Sequence, residues 1–205
     1  NQINSLGNKF FDYITAEQLA YISDDIIKNT TQDITFEYSY QLTTGFTGKQ
    51  NYDKAKEILN LFCQANKIHL LSPKAIGTLN SYLVKELTGD NIKEFSAEQL
   101  NAIAGNIQHI ELEVLSNIKT DTIKDLNNTF FNNLTEEQVK ALSQEQLIDE
   151  IVKNNKLHLL KEENIRTFIA NNFNKDFINK LTKEELTNQI NSLGNKFFDY
   201  ITAEQ

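Results

Sequence analysis

One short phrase recurs along this chain and restricts its fold more than any other feature. An apolar residue is followed by Ser or Thr, two further residues, a Glu or Gln, and a second apolar residue. The copies are Ile14-Thr15-Ala16-Glu17-Gln18-Leu19, Phe95-Ser96-Ala97-Glu98-Gln99-Leu100, Leu134-Thr135-Glu136-Glu137-Gln138-Val139, Leu142-Ser143-Gln144-Glu145-Gln146-Leu147 and Leu181-Thr182-Lys183-Glu184-Glu185-Leu186. In a helix start of this kind the hydroxyl accepts the backbone N–H three residues on. The Glu or Gln reaches back to the N–H of the cap, and the two apolar residues staple the entry of the chain. Acidic first turns suit the positive end of the helix dipole. Each cap contributes about 1 kcal/mol. The phrase predicts Thr15, Ser96, Thr135, Ser143 and Thr182 at helix N-caps. Leu71-Ser72-Pro73 is a variant with proline at the first helical position, where its missing N–H costs nothing.

Many caps imply many short helices and an all-α fold. Seven Gly and one Pro in 205 residues sit badly with a turn-dense β-sandwich. Gly194, and equally Gly7, suits a left-handed helix end. Gly89 follows a helical run over Pro73–Leu87. Short linker elements fall at Asp90–Glu94, Asn174–Lys180 and Asn195–Tyr200. Starts at Leu160, Leu181 and Ile201 suggest a unit of a longer helix followed by a shorter one. Such a unit cannot bury its own apolar face, whereas stacked copies can. The expectation is a right- or left-handed solenoid-like array of short capped helices.

Residues 1–18 and 188–205 both read NQINSLGNKFFDYITAEQ. An identity of that length is beyond chance, so one period runs from Asn1 to Thr187. The expected organisation is one full tandem period over 1–187 and the start of the next identical repeat over 188–205. A duplication introduced in cloning is the alternative. Without a Met, the chain is expected to be a piece of a longer protein. Fainter repeats lie inside the period. Asn128–Gln138 matches Asn195–Gln205, and Asn66–Ile76 matches Asn155–Ile165 through the phrase NKIHLL or NKLHLL. The duplicated ends carry the apolar sets Leu6, Phe10, Phe11, Ile14 and Leu193, Phe197, Phe198, Ile201. Each set is expected in a helical segment with half of its cover missing, which favours head-to-tail self-association.

The stretch Ile34–Leu42 alternates like a strand. It also fits a helix capped by Thr31 and ended at Gly45, and a lone strand would lack a partner, so the helix is favoured. Asn51–Asn66 forms a strong helix with Ala55, Ile58, Leu59, Phe62 and Cys63 inward.

Chemistry-bearing residues are sparse. His69 and His158 share the NKxHLL phrase, which makes them a structural repeat feature expected in similar surroundings. His109 stands alone. No Cys/His pair has metal-ligand spacing. Cys63 lies four residues after Leu59 on an apolar face, as a small core residue would, and one cysteine excludes an internal disulfide framework. The acidic pairs Asp24-Asp25, Glu136-Glu137, Glu162-Glu163 and Glu184-Glu185 fall mostly in first helical turns. No phosphate loop, nucleophile elbow or zinc-protease phrase occurs. The chain is therefore expected to be no enzyme, with no catalytic, cofactor-binding or metal site. No apolar run is long enough for a membrane span, and no signal peptide is visible.

Phe95–Ile107, FSAEQLNAIAGNI, is similar to the start of the transcription-activator-like effector repeat. Gly48-Lys49-Gln50, followed by LFCQAN at Leu61–Asn66 and a Ser-Pro cap, resembles the second helix and junction of that repeat. The resemblance implies nucleic-acid binding. It covers two separate patches. The strict period and the recurring base-reading loop of that family are missing here. A net charge of −8 with Arg166 as the only arginine lacks the basic stripe that phosphate contacts need. With 26 Asn, the composition points to an AT-rich coding genome. Large proteins with near-identical helical repeats from such bacteria resemble surface antigens, adhesins and secreted effectors. That resemblance implies a non-enzymatic scaffold or protein-binding segment, cell-surface or secreted. An intracellular effector binding a host protein and a nucleic-acid-binding array are the alternatives. An exposed cluster from Tyr38, Tyr40, Phe46 and Tyr52 would favour protein recognition, while core packing is the blander role for those rings.

Overall fold

A computed structural model describes residues 7–32, 34–36, 47–142 and 147–201. Every regular element among the described residues is helical, either α or 3-10, and none is a strand. Most are short. Pro73–Ile76, Leu112–Leu115 and Lys175–Ile178 have one turn each, and the longest is Thr47–Gln64.

The caps form as the sequence requires. Thr15 with Gln18, Ser96 with Gln99 and Thr182 with Glu185 each make both bonds of a capping box. Thr135 and Gln138 do the same, with Thr135 N–H donating to Gln138 Oε1 at 3.0 Å and Gln138 N–H to Thr135 Oγ1 at 3.2 Å. Ser143 lies outside the described residues. Thr88 with Asn91 adds a further box, and Ser72, Asn127 and Asn174 cap through one side-chain bond.

Pro73–Leu87 is not one helix. Thr78 donates its hydroxyl back to Ala75 C=O at 2.6 Å, and Asn80 Oδ1 accepts the N–H groups of Tyr82 and Leu83. These local bonds offer the backbone an alternative to helix, so a turn separates Pro73–Ile76 from the 3-10 segment Val84–Glu86. Gly89 ends nothing. It opens the helix Gly89–Lys93, and a Cβ there would come within 2.6 Å of Asn117 Nδ2. Gly194 does close a helix, Lys183–Leu193, with φ 60° and ψ −145°, a region that essentially only glycine enters. Thr31 closes Asp24–Thr30 rather than starting a helix, and Ile34–Phe36 is not helical. The rest of that ambiguous stretch, Glu37–Leu42 and on to Gly45, lies outside the described residues. Thr47–Gln64 buries Ala55, Leu59 and Phe62 and half-buries Ile58 and Cys63, as its spacing predicts.

The NKxHLL phrase gives the same backbone twice. Asn66 and Asn155 sit at φ 50° and 52°, in the left-handed region that Asn tolerates. The next N–H, of Lys67 or Lys156, bonds to Phe62 C=O at 2.9 Å or to Ile151 C=O at 2.8 Å. This is the Schellman closure of a helix. A one-turn 3-10 segment follows in each case, Ile68–Leu70 and Leu157–Leu159.

A regularity hidden in the sequence appears in the caps. Ser72, Thr88 and Ser96 have later counterparts in Glu111, Asn127 and Thr135, each pair separated by the same interval. Buried residues keep that interval, as in Leu79 and Ile118, Val84 and Ile123, Leu87 and Leu126, and Ile103 and Leu142. Helices then pack in a relay along the chain. Pro73–Ile76 meets Ala97–Ala102, Gly89–Lys93 meets Leu112–Leu115, Leu112–Leu115 meets Glu136–Leu142, and Glu136–Leu142 meets Glu162–Asn172.

Short helices leave most of their terminal C=O groups without an intrahelical partner. Side-chain amides from neighbouring helices reach carbonyls at or just beyond these ends. Gln99 Nε2 donates to His69 C=O at 2.9 Å and Leu71 C=O at 2.7 Å. Its counterpart Gln138 donates to Ile107 C=O at 2.9 Å and Ile110 C=O at 2.8 Å. Asn91 donates to Cys63 C=O, Asn106 to Leu79 C=O, Asn133 to Ala104 C=O, Asn164 to Leu134 C=O, and Gln189 to Val152 C=O.

Gln99→Leu strands Leu71 C=O, His69 C=O and Ser96 N–H together. It should lower the unfolding free energy by about 2–4 kcal/mol in urea titration. Gln18→Leu removes the same capping bond at an exposed site and should cost under about 1 kcal/mol.

Candidate interaction surface

Three Phe-Phe pairs share a ring geometry and differ in how far they are covered. Phe10–Phe11, Phe130–Phe131 and Phe197–Phe198 have centroid distances of 5.5, 5.5 and 5.6 Å and near-perpendicular rings. The central pair has structure on both sides and is buried. In the first pair Phe11 is buried, 5.1 Å from Phe62, while Phe10 is half-buried. In the last pair the roles reverse. Phe197 is buried 6.1 Å from Phe173, and Phe198 is 61% exposed. Tyr13 is 79% exposed, whereas its equivalent Tyr200 is buried beneath Arg166, whose guanidinium carbon lies 5.0 Å from the ring centroid.

Both ends are helical, but identical sequences predict the same local fold and the two differ in form. Gly7–Asp12 is a 3-10 helix and Lys196–Tyr200 an α-helix. Identical residues meet different neighbours, and the backbone follows the neighbours. Ile14 and Ile201 are each half-buried, Leu193 is buried, and Leu6 lies outside the described residues.

The histidines do not share one environment. His69 is half-buried with no partner on Nδ1, and burial lowers its pKa. Asp24 and Glu94 pull the other way, while Lys67 and Lys28 add to the lowering. His158 is exposed, on the rim of an open groove with Asn128, Thr129 and Asn132. The backbone phrase is repeated, but the units packed against it are not. His109 Nε2 lies 3.4 Å from Gln108 Nε2. Cys63 is half-buried on the helix Thr47–Gln64, and desolvation pushes its thiol up to about 12, so it is protonated at neutral pH and a poor nucleophile.

The acidic pairs stand in first helical turns. Several are already engaged. Asp24 is bonded to Lys67 at 2.6 Å, Glu136 to Lys140 at 2.8 Å, and Glu162 to Lys196 at 3.0 Å and Arg166 at 3.3 Å. The ammonium partner in each case holds the carboxyl below its ordinary range. Among the described residues no three His, Cys, Asp or Glu side chains converge as metal ligands do, and no helix is long and apolar enough to cross a membrane.

Of the aromatic set singled out in the sequence, Tyr38, Tyr40 and Phe46 lie outside the described residues. Tyr52 is half-buried, edge-on to Tyr82 at 6.4 Å. Tyr82 is 63% and Tyr21 84% exposed, and neither carries a sequence signal that sets it apart.

His69 should make the fold acid-sensitive. Its folded pKa is depressed, so its contribution is complete above its ordinary 6.5 and is lost as pH falls through the lower folded value. Urea midpoints compared at neutral and mildly acidic pH should fall for the wild type and fall less for His69→Phe. Comparison with protein family models, with curated proteins and with solved structures finds no match for this chain.

Proposed function

We propose that the chain is a non-enzymatic period of a tandem, solenoid-like helical repeat, serving as a scaffold or protein-binding surface in a large bacterial surface or secreted protein. The observation that carries this reading is the amide bridge from Gln99 to Leu71 C=O, which recurs one unit later from Gln138 to Ile110 C=O. A join made of one helix start and one helix end is indifferent to how many units precede or follow it, and extended arrays are built from such joins. The identity of residues 1–18 and 188–205 supports tandem copies of the span 1–187. The Asn- and Lys-rich composition supports the bacterial assignment. Exposed Tyr21 and Tyr82 are the residue type on which protein partners anchor. A nucleic-acid-binding array draws no support from a chain whose one arginine lies between Glu162 and Tyr200.

Two measurements test the reading. Antibodies raised against the chain should label intact cells of the parent organism. Labelling only after permeabilisation would favour an intracellular effector instead. A protein of two full periods, each spanning 1–187, should scatter X-rays as one rigid elongated particle. Two beads on a flexible joint would overturn the scaffold.

A further inference from the structure

The duplicated segment occurs twice in this molecule in complementary states, and the first state supplies the partner of the second. Residues 7–18 lie against the helix Thr47–Gln64. Phe11 packs on Phe62 with tilted rings 5.1 Å apart, Asp12 Oδ1 pairs with Lys54 Nζ at 2.7 Å, and the following helix Ala16–Ala20 packs on the same helix. The equivalents at the other end are Phe198 and Asp199. Phe198 is 61% exposed, and Asp199 is exposed beside it. The face of this segment that needs a preceding unit is covered at the C-terminal end, through Phe197 and Tyr200. At the N-terminal end it is only partly covered, with Tyr13 79% exposed and Phe10 half-buried. Each copy therefore displays the half of the interface that the other has filled. The central pair Phe130–Phe131 shows both halves filled at once.

We propose that the surface around Phe198 docks on the helix Thr47–Gln64 of a second copy of the chain, where residues 194–201 take the seat of that copy's own residues 7–14. Phe198 then packs on the second copy's Phe62, and Asp199 pairs with its Lys54. The contact joins unlike ends and does not close on itself, so it propagates head to tail. It rests on the tandem-repeat reading above, because the same seat would join consecutive periods within one long chain. In the isolated chain the seat is filled by the molecule's own residues 7–14, which keeps association weak until that occupant is loosened.

The test uses the full chain in sedimentation velocity, with circular dichroism to verify helicity. Phe11→Ala weakens the internal occupant and leaves Phe198 in place. It should give oligomers that grow with concentration and at least double the weight-average mass relative to wild type. Phe11→Ala with Phe198→Ala should return to monomer. Should Phe11→Ala lose its helicity, Asp12→Lys serves as the second variant. It sets two cations against each other in the internal seat, at an exposed position, and should also raise association. Adding Asp199→Lys should abolish that rise. A folded Phe11→Ala or Asp12→Lys chain that stays monomeric overturns the proposal, and so does association unaffected by Phe198→Ala or Asp199→Lys. Either result can occur with a rigid two-period particle in X-ray scattering, so failure of this contact is separable from failure of the scaffold.

Discussion

The interaction on which the rest of this molecule depends is the bond from a buried side-chain amide to a carbonyl at or near the end of another helix. A one-turn helix has more unsatisfied terminal groups than internal bonds. A fold made of such helices would bury unpaired C=O groups throughout its core, each costing about 1–3 kcal/mol. Gln99, Gln138, Asn164 and Gln189 prevent this from positions at most 4% exposed. The amide carbonyl of Gln99 or Gln138 also accepts its own cap's N–H. One side chain thus begins its own helix and finishes another, which fixes the distance and angle between the two. The apolar core supplies bulk stabilisation, while these amides set the register in which it packs.

This division of labour explains what the sequence revealed. A capping box is local, with both partners three residues apart, so Thr15, Ser96, Thr135 and Thr182 were legible at sight. The amide bridges join residues 27 to 37 apart, and no short pattern encodes that separation. The constant spacing of the caps was hidden because equivalent caps change residue type, from Ser72 to Glu111 and from Thr88 to Asn127. Pro73–Leu87 was misread because Leu79, Leu83, Val84 and Leu87 are buried at helix-like intervals, whereas Thr78 and Asn80 divert the backbone by bonds that periodicity cannot see. The abundance of Asn suggested genome composition. In the structure Asn91, Asn106, Asn133 and Asn164 bridge units, Asn127 and Asn174 cap helices, and Asn66 and Asn155 turn the chain.

The candidate surface was half legible for a related reason. An exact duplication is visible in any sequence, and so is the apolar character of its Phe pairs. The face of each pair that would be left open depends on which neighbours the fold supplies, and those neighbours are distant in sequence. The NKxHLL phrase behaves likewise. It dictates the same backbone at Asn66 and Asn155 and yet leaves His69 half-buried and His158 exposed.

The amide bridges also have a direction. In the Gln99, Gln138, Asn164 and Gln189 bridges the donor follows its acceptor in the chain. On a ribosome the carbonyl is therefore made first, and its donor emerges later, within the next unit. In these four bridges the later helix carries the amide that completes a carbonyl already made. Since translation proceeds from the N-terminus and domains fold in that order, the polarity of these bonds matches the polarity of synthesis.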